Sequence, residues 1–263
     1  MKHITSPHNE IFKNLKQLSS SAKHRRRTRQ TLLEGINLCQ SYLQHVGLPR
    51  MFIYTDQATE NLEVAKIIQY CENSSIDGVL LGESNFRAIS GVENGVGIAF
   101  LIDILTKKTP KSPHNNTILL DNVQDPGNMG AILRTAAAAG VTEVFSSSGS
   151  VSAWSPKVLR SGMGAHFALN IYENIDIADV IKSSRVPVLA TSLNADRTIY
   201  QQDLSGPNAW IFGNEGNGVS DELLSLDVIK VIIPQNKKVE SLNVAASVAV
   251  CLFEQSRQHL FKE

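Results

Sequence analysis

The chain is predicted to be an α/β protein: a C-terminal parallel sheet with helices on both faces, preceded by a smaller α/β domain. Three observations predict this. From Ile118 onward, short apolar runs alternate regularly with helix-forming stretches, the pattern of a parallel sheet covered on both sides. A shorter alternation occupies residues 1–105. Between them, residues 106–117 hold Pro110, Pro113 and three lysines but no large apolar residue, which reads as a linker. The expected domains are therefore 1–105 and 118–263.

Within the first domain, residues 8–19 place Ile11, Leu15 and Leu18 at helical spacing. Residues 31–46 do the same with Leu32, Ile36, Cys39 and Leu43 and are also expected to be one helix. Arg50–Tyr54, Gly78–Leu81 and Gly95–Leu101 read as strands, with a helix over Glu60–Glu72. In the second domain, strand 118–121 leads through a turn to helix 128–139, which Gly140 can end. Strand 142–146, helix 155–164, strand 167–172, helix 177–184 and strand 186–191 follow. After a polar loop at 192–208 come strand 209–213, a short helix 220–225, strand 228–233 and a final helix 241–260.

A composition of 42% hydrophobic and 19% charged residues excludes disorder of the whole chain. No apolar run approaches the roughly 18 residues that span a bilayer, and the N-terminus lacks an apolar signal core, so a cytoplasmic location is expected. Cys39, Cys71 and Cys251 are odd in number and far apart, so they read as reduced and structural. The net charge of zero conceals an asymmetry: residues 1–50 carry nine Lys/Arg against Glu10 and Glu34, a net of +7. The centre of that charge is Lys23, Arg25, Arg26, Arg27 and Arg29. Such a run suits a polyanion, and it equally suits a solvated helix end or loop.

Neither a Gly-x-Gly-x-x-Gly turn after the first strand of either half nor a Walker A sequence is present, which disfavours a standard dinucleotide or NTP site. Three other segments stand at strand ends, where parallel sheets bind ligands. In the first, Asp125-Pro126-Gly127 reads as a turn, Asn128 lies near a helix start, and Arg134 sits in an alanine-rich helix where it needs a partner. A structural ion pair or a snorkelling side chain would also explain Arg134. In the second, Gly213, Gly216 and Gly218 surround Glu215 and permit close backbone approach to a ligand, or simply make a strand-to-helix turn. In the third, Ser241 is a plausible N-cap of the final helix, with Asn243 in its first turn.

Taken in order, Asn128-Met-Gly-Ala-Ile-Leu-Arg134, Gly213-Asn-Glu-Gly-Asn-Gly218 and Ser241-Leu-Asn-Val-Ala-Ala246 resemble the signature blocks of the SpoU (TrmH) family of RNA ribose 2′-O-methyltransferases, within the SPOUT superfamily. Lys157–Gly164 is similar to the family as well, and the basic N-terminal run resembles its appended RNA-binding domain. One departure stands out. After Ile233-Pro234 the family has Met, a variable residue and Gly, where this chain has Gln235, Asn236 and Lys237. Lysine there requires a shifted loop or a backbone angle that it tolerates.

The resemblance implies a trefoil-knotted catalytic domain, with residues near 190–244 forming a pocket for S-adenosylmethionine. Ser192, Leu193, Gly213, Gly216, Ile233 and Leu242 would contact the donor. It also implies a homodimer, to which the final helix could contribute an interface or only core packing. No metal is needed. Arg134 is expected to hold a phosphate and stabilise the developing alkoxide, because a neutral guanidine base is costly. Asn128 would position substrate or Arg134, while Glu215, Asn243 and Ser241 shape the site. The expected substrate is structured RNA, foremost ribosomal RNA, gripped in part by Lys23, Arg25, Arg26, Arg27 and Arg29. Transfer RNA, and a non-catalytic RNA-binding protein on the same scaffold, are the alternatives.

Overall fold

Burial demands divide the chain into two compact units, one reaching to Leu105 and including Trp154–Phe167, the other formed by Thr106–Ala153 and the chain from Ala168 on. The structure is a computed structural model and describes residues 2–260 except 94, 111, 237 and 239.

Along the chain the first unit contains β1 (Lys2–Ile4), α1 (Glu10–Ser20), α2 (Ala22–Thr28), β2 (Gln30–Glu34), α3 (Ile36–His45), β3 (Met51–Tyr54), α4 (Leu62–Asn73), β4 (Asp77–Leu81), α5 (Glu83–Ile89) and β5 (Ile98–Asp103). Its five-stranded sheet runs β1-β4-β3-β5-β2, parallel at β1–β4 and β3–β4 and antiparallel at β3–β5 and β2–β5. Phe12, Leu15 and Leu18 of α1 and Phe86 and Ile89 of α5 pack with Ile53, Val79 and Leu101 of the sheet. The helix expected over 31–46 is instead a strand followed by a helix. Thr31, Leu32 and Leu33 are buried in β2, and Gly35, with φ +98°, turns the chain into α3. The spacing of Leu32 with Ile36 imitated a helical stripe, but α3 buries Leu38, Cys39 and Tyr42.

The later elements are β6 (Thr117–Leu120), α6 (Pro126–Ala138), β7 (Glu143–Ser146), α7 (Pro156–Gly162), β8 (Asn170–Glu173), α8 (Ile177–Ser183), β9 (Val188–Thr191), β10 (Ala209–Phe212), α9 (Asp221–Leu224), β11 (Ile229–Val231) and α10 (Val244–Leu260). Of these, α7 belongs to the first unit, where Thr31 Oγ1 donates to the Trp154 carbonyl at 2.8 Å and Arg160 pairs with Glu34 at 3.3 Å. The second unit is a six-stranded, wholly parallel sheet in the order β11-β9-β10-β6-β7-β8. β6, β7 and β10 are buried along their whole lengths, as parallel strands covered on both faces must be. Leu119, Phe145, Ala190 and Ile211 face α8 and α9. Trp210 points the other way, and its indole N–H donates to Gln255 of α10 at 2.7 Å. No helix among the described residues is long and apolar enough to cross a membrane.

Candidate active site

The strand-end loops of the second unit are shaped by a few backbone requirements. After β10, Asn214 and Gly218 exchange two backbone hydrogen bonds of 2.9 Å, closing a tight loop. A Cβ on Gly213 would lie 2.0 Å from the backbone of Gly218, so no other residue fits without opening that loop. Gly218 is needed for a different reason, a left-handed φ of +71°. Gly216 has neither constraint: a Cβ there would meet only Asn214 Oδ1, at 3.6 Å.

Asp125, expected in a turn, is the N-cap of α6: its Oδ1 accepts the Asn128 N–H at 2.8 Å, and Pro126 opens the helix. Gly140, at φ +76°, follows the end of α6. The expected cap of the final helix is also corrected. Asn243, not Ser241, caps α10, its Oδ1 accepting from the N–H groups of Ala245 and Ala246 at 2.9 and 3.3 Å. Ser241 is exposed and two residues short of the cap, because the chain enters helical geometry only at Val244.

These two caps are joined through one chain of side chains. Asn243 Nδ2 donates to Asn128 Oδ1 at 3.0 Å, and Asn128 Nδ2 donates to Glu215 Oε1 at 3.1 Å. Glu215 also accepts the backbone N–H groups of Gln124 and Asp125 at 3.2 and 3.0 Å. The chain has a fixed direction. An ionised carboxylate can only accept, so the Asn128 amide must present NH₂ to it; the α10 N–H groups can only donate, so Asn243 must present its oxygen to them. Both ends impose the same polarity on the middle. Partial burial raises the Glu215 pKa, but the N–H donors of Asp125, Asn128, its own residue and Gln124 together outweigh this and hold the carboxyl below its ordinary value.

Beside this chain lies a cavity of about 360 Å³, lined by Thr191–Leu193, Phe212–Val219, Ile232–Ile233 and Ser241–Leu242, among others. Every residue expected to contact a donor (Ser192, Leu193, Gly213, Gly216, Ile233 and Leu242) is on this lining, together with Glu215 and Ser241. Asn128 is one hydrogen-bond step from the lining residue Glu215, and Asn243 is two steps away, through Asn128. Gln235 lines the cavity, whereas Lys237 lies outside the described residues. Arg134 does not line it. The partner expected for its guanidinium is missing: Arg134 is exposed and, among the described residues, has neither an ion pair nor a hydrogen bond.

In the first unit, the basic run is α2 itself, capped by Ser21 and ended by Arg29 at φ 54°. Lys23, Arg26, Arg27 and Arg29 are exposed. Arg25 is only 5% exposed and donates to the Leu18 carbonyl at 2.8 Å, which withdraws it from the set that can reach a phosphate.

Two residues of the site were missed in the sequence. Buried Asp121, just after β6, accepts the Ser220 N–H at 2.9 Å and so ties the start of α9 to that strand. Asn214 accepts from the N–H groups of Gly216 and Asn217 at 3.0 and 3.2 Å and donates to the Asn122 carbonyl at 2.9 Å. An Asn beside Gly in a turn is the residue type that makes such bonds, so the signal was available for Asn214.

A parallel sheet carrying its cavity and polar chain at the carboxyl ends of the strands defines an α/β protein with a small-ligand site. Residues 115–253 match the SpoU rRNA methylase family model, and the chain belongs to that family. It is 34% identical to an uncharacterized tRNA/rRNA methyltransferase of Synechocystis, covering 97% of this chain and 93% of the relative. It is 31% identical to the 23S rRNA (guanosine(2553)-2′-O)-methyltransferase RlmP of Bacillus subtilis, covering 96% and 98%. The crystal structure of an AdoMet-bound rRNA methyltransferase from Sinorhizobium meliloti superposes with a TM-score of 0.83 at 26% identity, covering 99% of this chain and 98% of that one.

Proposed function

We propose that this protein transfers a methyl group from S-adenosylmethionine to a ribose 2′-hydroxyl of ribosomal RNA. The observation that carries the reading is the directed chain Asn243–Asn128–Glu215, which joins all three signature blocks beside one cavity. The cavity suits the donor. Leu193 and Leu242, 59% and 40% exposed, offer apolar surface to an adenine ring. Asp221 and Glu240 bring carboxylates to the lining, and no Lys, Arg or His joins them among the described residues, which favours a cationic ligand.

The donor, when bound, supplies an electrophilic methyl group. The chain must orient a weakly acidic hydroxyl and accommodate the charge it develops. Arg134 is the proposed group for that charge, since its guanidinium is uncommitted and exposed. Glu215 is a poor general base: three donors occupy its oxygens and its pKa is lowered. Its proposed task is to fix the start of α6, the helix that carries Asn128 and Arg134. Ser192, Gly213, Gly216 and Ile233 are proposed donor contacts, with Ser241 at the rim. RNA would be gripped by Lys23, Arg26, Arg27 and Arg29 of the front domain (1–105), joined by linker 106–117 to a catalytic domain (118–263) carrying the family's knot.

We further propose a homodimer. On α10, Phe253 is 52% exposed and Leu260 75% exposed, and Ala246, Ala249 and Val250 extend the same stripe at helical spacing. We also propose a cytoplasmic site of action, in keeping with a ribosomal substrate. The experiment is to map 2′-O-methyl sites in ribosomal RNA incubated with donor and wild-type or Arg134→Ala protein. A single site gained with the wild type and absent with the variant is the expected result. Methylation surviving in the variant with RNA binding unchanged would remove Arg134 from the chemistry, and no methylation by the wild type would favour a non-catalytic RNA binder.

A further inference from the structure

The donor-cavity loop is fastened to the turn that starts α6, and one residue makes the fastening on the far side from Glu215. Asn214 Oδ1 organises the loop itself by accepting from Gly216 and Asn217 at 3.0 and 3.2 Å. Its Nδ2 leaves the loop and donates at 2.9 Å to the carbonyl of Asn122, between β6 and α6. Asn122 is held in the left-handed region at φ 56°, and its own N–H donates to Ser147 at 2.9 Å, so it is a defined anchor and not a slack one. Glu215 grips the same turn two and three residues later, at the N–H groups of Gln124 and Asp125. The loop therefore meets the turn by an amide donor at Asn122 and a carboxylate acceptor at 124–125, a two-point attachment that resists sliding and rotation.

We propose that Asn214 is a positioning residue for methyl transfer: it transmits occupancy of the donor cavity to the β6–α6 turn and hence to the helix carrying Asn128 and Arg134. This rests on the donor-site reading above. Residues 213–219 line the cavity, so a ligand bound there would lie against this loop. Ordering that loop orders the Asn122 carbonyl through the amide bond, which reduces local opening at the start of α6. The two ends of the amide can be separated. Asn214→Asp keeps the acceptor that organises the loop but replaces the donor to Asn122 with a second acceptor, which repels the carbonyl. Asn214→Ser shortens the side chain so that its hydroxyl falls short of the Asn122 carbonyl while still able to accept from the loop, which removes the tie without adding charge.

The test is hydrogen–deuterium exchange on the full chain, with and without saturating S-adenosylhomocysteine, alongside calorimetry of its binding. In the wild type, ligand is expected to slow exchange of amides 122–130 by at least about threefold. In Asn214→Asp and Asn214→Ser the same region should respond less than about twofold, while the loop at 214–218 still responds to bound ligand. Methylation should show the matching split, with kcat falling about tenfold or more and KM for the donor changing less than threefold. A wild type that binds ligand with no response at 122–130 overturns the inference and leaves the donor-site reading intact. Full retention of the response in both variants assigns the coupling to Glu215 and overturns the role of Asn214. If the wild type binds no S-adenosylhomocysteine, the donor-site reading fails first.

Discussion

Replacing Asn128 by Asp reverses the middle of the polar chain while changing one group of similar size. The Nδ2 that donates to Glu215 Oε1 at 3.1 Å becomes an oxygen facing a carboxylate. Two unit charges at that distance repel by about 1 kcal/mol at water-like screening and about 5 at an effective dielectric of 20. Both residues are half-buried, so the repulsion should fall between, at roughly 2–3 kcal/mol. Asn128→Ala removes the two side-chain hydrogen bonds without adding charge, for about 1–2 kcal/mol. At pH 8, Asp should therefore be the worse substitution. The pH dependence gives the sharper test. In the wild type the lowered Glu215 pKa contributes stability that is full above the ordinary carboxylate range and is lost as pH falls through the folded value. In Asn128→Asp the paired carboxyls must instead share a proton at a raised pKa. The folded state then binds more protons than the unfolded one, and stability rises as pH falls. The gap between the Asp and Ala variants should narrow from pH 8 to pH 5. Urea denaturation followed by fluorescence in a Trp154→Phe background leaves Trp210 as the reporter of the second unit. A gap that is absent at pH 8, or constant across this range, would refute the directed chain.

Gly213→Ala should weaken S-adenosylmethionine binding at least tenfold by calorimetry, because its Cβ would meet backbone at 2.0 Å, whereas Gly216→Ala should stay within about threefold. Asn243→Ala removes the cap of α10 and should cost about 1–2 kcal/mol in urea denaturation; Ser241→Ala should cost less than about 0.5. Arg134→Ala should lower the single-turnover methylation rate by about 10²–10³-fold, with RNA affinity changed by less than threefold in filter binding. Arg25→Ala should destabilise the first unit by about 1–3 kcal/mol, leaving the salt dependence of RNA binding unaltered. Arg26→Ala with Arg27→Ala should instead weaken RNA binding and flatten its salt slope.

How much of this was legible depends on what each residue had to do. The strands of the second unit could be read because each is a short run buried on both faces, as in Ile118–Leu120 and Trp210–Phe212. The helix boundaries were harder. Asp125, Pro126 and Gly127 are all turn formers, and only the Asp125–Asn128 bond decides that they cap a helix. At the last helix, Ser241 and Asn243 are both good caps by type. The competition is settled by long-range geometry, since Asn243 is also held by Asn128, 115 residues earlier. The β2–α3 error has the same origin: antiparallel pairing with β5 overrides a local helical spacing that happened to be right. Arg25 shows the limit for charge. Five basic residues in seven look alike in sequence, yet one turns inward to the Leu18 carbonyl.

The departure at Gln235 bears on one part of the site and not the other. Gln235 is on the cavity lining and makes no bond to the chain Asn243–Asn128–Glu215. The ends of that chain are fixed by the N–H groups of 124–125 and of 245–246, neither of which involves the 235–240 segment. Variation at this rim can therefore alter how tightly a donor is held without reversing the amides that set Asn128, or the turn from which Arg134 is presented. Donor affinity and the orientation of α6 are in this way adjusted at different places, and the contacts that reconnect them include those Asn214 and Glu215 make across the β6–α6 turn and the bonds of Asn128 to Glu215 and Asn243.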